Sequence, residues 1–166
     1  MVNGTHKLMT ALKLLVLSLA TTLLLGCGAT NAVKDVFTVM TRGDITVVAA
    51  NNVNPDINGR PSPIMIRVFE LKSTAAFNNA DFFALYDRGS AELGSDYVSH
   101  DDMDIKPGQT KQMSRDFSLE TRYFGVIAAY RDINNATWKR VVTITPDSDS
   151  EITISLNSND LKVTIE

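Results

Sequence analysis

Two segments near the end of the chain, EITISL (151–156) and LKVTIE (161–166), alternate apolar and polar residues with a period of two. That period matches the pleat of a half-buried β-strand. Ile152, Ile154 and Leu156 fall on one face of the first, and Leu161, Val163 and Ile165 on one face of the second. On a helix the same residues would scatter around the axis, so the pattern excludes one. Further strand-like runs recur upstream at 36–40 (VFTVM), 45–50 (ITVVAA), 63–71 (PIMIRVFEL), 122–130 and 138–145, with a weaker one at 111–119 (KQMSRDFSL) after the turn Lys106-Pro107-Gly108. In 63–71, Ile64, Ile66 and Val68 share one face and Met65, Arg67 and Phe69 the other. Residues 122–130 (RYFGVIAAY) are apolar on both faces, as a central strand should be. Thr41-Arg42-Gly43-Asp44 reads as a turn between the first two runs.

One segment departs from this pattern. Residues 77–87 (FNNADFFALYD) place Phe82, Leu85 and Tyr86 at helical spacing, with Asn78 or Asn79 to cap the start and Gly89 the end. The expectation is an all-β domain over 36–166: a two-sheet antiparallel β-sandwich of about eight strands with one added helical segment of about ten residues.

The N-terminus bears His6, Lys7 and Lys13, followed by an uncharged apolar run over 14–25. Twelve residues are too few to span a bilayer, which needs about 20, so the pattern reads as a secretory signal. It ends in Leu24-Leu25-Gly26-Cys27, which resembles the bacterial lipoprotein signal, cut before a lipidated cysteine. Cys27 is the sole cysteine, so no intramolecular disulfide forms. Two or three acyl chains give a stable anchor, because each buried methylene contributes about 0.8 kcal/mol. Gly28 stands where an aspartate would favour inner-membrane retention, which by the same resemblance directs the protein to the outer membrane.

Removal of residues 1–26 takes two lysines and no acids. It leaves 140 residues with 14 basic and 19 acidic side chains, a net charge of −5. Residues 27–35 then form the lipidated cysteine and a small polar tether, about 25 Å long when extended. A mildly acidic domain without a basic patch is not a nucleic-acid binder.

The residues offer little chemistry. His100 is the only histidine of the mature chain and sits in a polar stretch (SHDDMDIKPG) without a nucleophile motif, which reads as a solvated loop. Asp101, Asp102 and Asp104 lack the spacing of a calcium loop and read as a solvated acidic cluster. No zinc spacing or phosphate-binding glycine loop occurs, and no cofactor is expected apart from the covalent lipid on Cys27. Tyr130 and Trp138 are expected to fill the edge of the core, with Arg131 paired locally.

The connection over 51–63 (NNVNPDINGRPSP) is far longer than the two to five residues that join neighbouring strands. Asn54-Pro55-Asp56 and Asn58-Gly59 are turn signals, while Pro61 and Pro63 hold the exit extended. Proline limits the entropy such a loop loses on docking, and Arg60 is a good interface anchor. The residues allow either a recognition loop or a long surface turn.

The stretches VNPDINGRPSPIMIRVFELKS (53–73), FNNADFFALYD and GVIAAYRDINNATWKR (125–140), together with Cys27, resemble the TssJ/SciN-like outer-membrane lipoproteins of type VI secretion. The resemblance implies a sandwich of transthyretin-like or C2-like character that is not an enzyme. It implies a lipid anchor in the outer membrane, facing the periplasm. The implied partner is the periplasmic C-terminal domain of the IcmF-like inner-membrane component of the secretion complex. The family's long early loop would make that contact, here through Asn54, Pro55, Asp56, Asn58, Gly59, Arg60 and Pro61. A rival reading, a sandwich that carries a small hydrophobic ligand, requires an open apolar cavity.

Overall fold

Every alternating run from residue 45 onward becomes a strand. The computed structural model describes residues 41–166. The segment 36–40, expected as an added strand or part of an ordered tether, lies outside the described residues with the rest of the tether and Cys27. The order is β1 (Arg42–Ala49), β2 (Ile64–Leu71), α1 (Ala75–Asn79), α2 (Phe82–Leu93), a 3₁₀ turn (Gly94–Asp96), then β3 (Tyr97–Ile105) and β4 (Thr110–Asp116). β5 (Tyr123–Ala128), β6 (Lys139–Thr143), β7 (Ser150–Leu156) and β8 (Leu161–Ile165) complete it. They form two four-stranded sheets, β4-β1-β7-β8 and β3-β2-β5-β6.

The inward faces meet as the alternation requires. Ile45 and Val47 of β1, Ile152, Ile154 and Leu156 of β7, and Ile64, Ile66 and Val68 of β2 are all buried in the one core between the sheets. The opposite face of β2 is apolar too, and Phe69 and Leu71 meet Phe77, Leu85 and Leu93 of the helices in a second core. An outer face carrying Phe69 has to be covered, so the helical insertion follows from the composition of β2.

Four expectations change. β1 and β7 run parallel, with Ile45 opposite Ile152 and Val47 opposite Ile154, so their sheet is mixed and not wholly antiparallel. The segment 41–44 is no turn, since β1 begins at Arg42 and Gly43 lies directly beneath the Phe117 ring, where a Cβ would collide. The single helix over 77–87 is instead two. The chain is extended at Ala80 (φ −70°, ψ 143°), and Asp81 caps α2 by accepting from the Ala84 N–H at 2.8 Å. α2 breaks at Arg88 (φ −142°, ψ 37°), one residue before the expected end at Gly89, but a further helical stretch continues to Leu93 and stops at Gly94, whose φ of +53° favours glycine.

The polar stretch around His100 is also strand. β3 pairs with all of β2, Met103 and Ile105 point into the core, and the acidic residues lie on an ordered sheet edge. Asp102 is no free loop carboxylate: it binds Arg67 through two nearly parallel hydrogen bonds of 2.6 and 2.7 Å. His100 Nδ1 lies 2.8 Å from the Tyr97 hydroxyl.

Candidate functional site: the loop between β1 and β2

β1 delivers the chain to the loop at Ala49, at the end of the strand opposite Thr41, where the described chain begins. Three internal ties then fix the loop's base. The Ala50 N–H donates to Leu156 O at 2.8 Å, Val53 is fully buried in the core, and the Ser62 N–H donates to Val53 O at 3.1 Å.

Asn54 is the clamp. It is only 3% exposed and adopts φ +48°, a left-handed conformation that asparagine tolerates better than most residues. Its N–H donates to Ser158 O at 3.0 Å, its Nδ2 donates to Pro63 O at 2.8 Å, and its Oδ1 accepts from the Arg131 N–H at 2.8 Å. One buried residue thus joins both limbs of the loop to the β5–β6 connection through its side chain and to the β7–β8 connection through its backbone. Asn54, expected among the partner contacts, holds the loop from inside.

The tip is closed by Asp56. Its Oδ1 accepts from the Asn58 and Arg60 N–H groups, each at 2.9 Å, and its Oδ2 receives Arg60 Nε at 2.8 Å and Nη2 at 2.7 Å. The Asp56 N–H donates to Arg60 O at 2.8 Å, and the Gly59 N–H to Asp56 O at 2.9 Å. Gly59 supplies the φ of +77° that the turn needs. Hydrogen bonds from Arg60, backbone first and then side chain, hold the Asp56 carboxyl below its ordinary value of 3.8. Asn58, Gly59, Arg60 and Pro61 are exposed around this ring and Pro55 is half-buried at its base. Ile57, at the tip, is fully exposed.

Arg131, Asp132 and Asn159 lie beside the tip and share a surface hollow of about 660 Å³ with Ile57 and Arg60. Sequence reading did not bring these residues to the loop, because their neighbourhood depends on the Asn54 clamp. Arg131 has no ion-pair partner among the described residues, contrary to the local pairing expected of it, while Tyr130 is buried as expected and Trp138 packs against both cores.

Two further polar centres were not legible in advance. Glu70, on the inward face of β2, is 3% exposed at the end of the sandwich near Thr41. It takes Arg115 Nη2 from the other sheet at 2.7 Å, and hydrogen bonds from Ser99 Oγ (2.9 Å), the Ser118 N–H (3.0 Å) and Thr121 Oγ1 (2.5 Å). Arg115 Nη1 lies 2.9 Å from Asp101, off the line of a hydrogen bond, and its Nε has no hydrogen-bond partner among the described residues. Lys139 Nζ donates to the carbonyls of Phe77, Asn78 and Ala80, each at 2.9 Å, and so ties the end of α1 to β6. Desolvation lowers the pKa of that ammonium.

Comparison with known proteins places this geometry. Residues 41–159 match the family model of the type VI secretion lipoprotein (SciN; VasD, EvfM, TssJ). The chain is 35% identical to the type VI secretion lipoprotein TssJ1 of Pseudomonas aeruginosa, covering 76% of this chain and 97% of that one, with a TM-score of 0.74. It is 30% identical to Serratia marcescens Lip, a membrane-bound component of the type VI secretion system, covering 76% and 99%, with a TM-score of 0.70. A chain of a type VI membrane complex shares the fold at 22% identity, covering 75% and 98%, with a TM-score of 0.67. No curated protein matches the chain. Both the match over 41–159 and the identity to TssJ1 show that this β-sandwich belongs to the type VI secretion lipoprotein family, a structural component of that secretion system.

Proposed function

We propose that a lipid on Cys27 anchors this protein to the outer membrane, facing the periplasm. Through the loop 51–63 it holds the periplasmic C-terminal domain of the IcmF-like inner-membrane component. The observation that carries the reading is the loop itself, which lacks secondary structure yet is tied at base and tip while Ile57 to Pro61 stay exposed. A rigid, exposed loop loses little entropy when it docks. Its position supports the same reading. β1 separates the loop from Thr41 by eight residues, roughly 26 Å at strand rise, so the loop lies at the end of β1 away from the lipid-bearing segment's entry.

The role is mechanical and uses no bond chemistry: the anchor fixes one end, the sandwich keeps the loop in shape, and the loop holds the partner. Several copies around a ring of partners would gain avidity through effective concentration. Co-purification from membranes tests the partner, since the lipoprotein should elute with the IcmF-like protein and recovery without it contradicts the assignment. Cys27→Ser tests the anchor. The variant should leave the outer-membrane fraction and stop secretion, and normal fractionation contradicts the lipid.

A further inference from the structure

Resting on that loop reading, we infer that Ile57 is the apolar anchor of the docking surface, and that the hollow between Arg60 and Arg131 receives a carboxylate of the partner. The loop contains two bulky apolar side chains besides its prolines, and the fold treats them oppositely. Val53 is completely buried, whereas Ile57 is as exposed as in an extended chain, at 101%. A single exposed apolar residue is ordinary on a surface. This one sits between the two residues whose backbones the Asp56 carboxylate binds or belongs to, Asp56 and Asn58, so its Cα is held in place before any partner arrives. Ile57 contributes no contact to the core, and a rigidly presented side chain of that kind is what an interface anchor requires.

The polar groups around it face one way. The Asp56 carboxylate is occupied by Arg60 and two amides, and both Asp132 oxygens accept from Asn135 Nδ2 at 2.9 and 3.0 Å. The acceptors of the hollow are therefore engaged. The donors are freer: Arg131 has no ion-pair partner among the described residues, and Arg60, held by Asp56 through Nε and Nη2, keeps Nη1 open on a side chain that is 76% exposed. A guanidinium on each side of a hollow suits a planar carboxylate. The exposed Ile57 and Arg131, unpaired among the described residues, together call for an apolar socket beside an acidic residue, and on the loop reading the occupant is the partner protein that offers both.

The test uses the lipidated full chain in nanodiscs and, as probe, the purified periplasmic C-terminal domain of the co-encoded IcmF-like protein. Ile57→Ala should weaken binding at least about tenfold with the melting temperature unchanged. Arg131→Gln should weaken it several-fold and flatten its dependence on salt. If Ile57→Ala binds within twofold of wild type while deletion of 56–60 abolishes binding, the loop reading stands and the anchor assignment falls. If the deletion binds as wild type, both fall. Unchanged affinity and salt dependence in Arg131→Gln overturns the carboxylate site, and self-association of the free chain that Ile57→Ala abolishes makes a second copy the occupant and overturns the assignment.

Discussion

Replacing Asn54 by alanine tests whether the loop is held from inside. The change removes the Nδ2 bond to Pro63 O and the acceptor of the Arg131 N–H, both 2.8 Å long. Each such bond contributes about 1 kcal/mol net, and losing one leaves its partner unsatisfied. Alanine must also adopt φ +48°, which costs about another 1 kcal/mol. The expected loss is therefore about 3 kcal/mol. For a domain of this size each kcal/mol lowers the melting temperature by about 4 °C, so the fall should be about 12 °C. Two companion variants separate the contributions. Asn54→Gly loses the same bonds without the φ cost and should recover about 1 kcal/mol. Asn54→Asp keeps an acceptor for Arg131 but sets a carboxylate oxygen against Pro63 O, and should be no better than alanine. Urea unfolding of the three variants gives the differences directly. An alanine variant within 0.5 kcal/mol of wild type, on the scale of ordinary surface changes, or a glycine variant less stable than alanine, refutes the clamp.

Three other perturbations follow from the geometry. Glu70→Ala leaves the Arg115 guanidinium without its buried partner and should cost about 3–5 kcal/mol, whereas Glu70→Leu with Arg115→Met should recover most of that; denaturant unfolding decides it. Lys139→Met strands the carbonyls of Phe77, Asn78 and Ala80, so amide exchange should quicken in α1 and stay slow in β1. The Asp56 carboxyl titrates below 3.8 in the folded state, so its contribution to stability is complete above that value and is lost as pH falls through the lowered pKa. The Asn58 and Arg60 amide shifts should therefore move with a midpoint below 3.8, and a midpoint at or above it contradicts the ring.

What the sequence made legible follows from which interactions are local. β7 and β8 were readable from Ile152, Ile154 and Leu156 and from Leu161, because one face of each is core and the other solvent. β3 was not. It is an edge strand whose middle, Ser99 to Asp102, is polar, so its apolar residues sit only at the ends, Tyr97 and Val98 and then Met103 and Ile105. The parallel pairing of β1 with β7 joins segments a hundred residues apart, and no local pattern encodes it. The helix break at Ala80 did have a local signal in Asp81, a better N-cap than Asn78 or Asn79 because the apolar run starts at Phe82. At the site, composition and proline marked out the loop. Which of its residues point outward depends on Ser158, Arg131 and Pro63 converging on Asn54, a tertiary fact.

The central claim is that the loop makes the contact. Calorimetry of soluble residues 28–166 against the periplasmic C-terminal domain of the IcmF-like protein, with and without residues 56–60, tests it most directly. Asp56 and Arg60 already meet through a 2.8 Å backbone hydrogen bond, so the excision spans little distance and removes no core residue. The account predicts micromolar or tighter binding by the intact domain and none by the shortened one, with both still folded. Equal binding by the two folded forms would place the contact elsewhere on the sandwich and contradict the account.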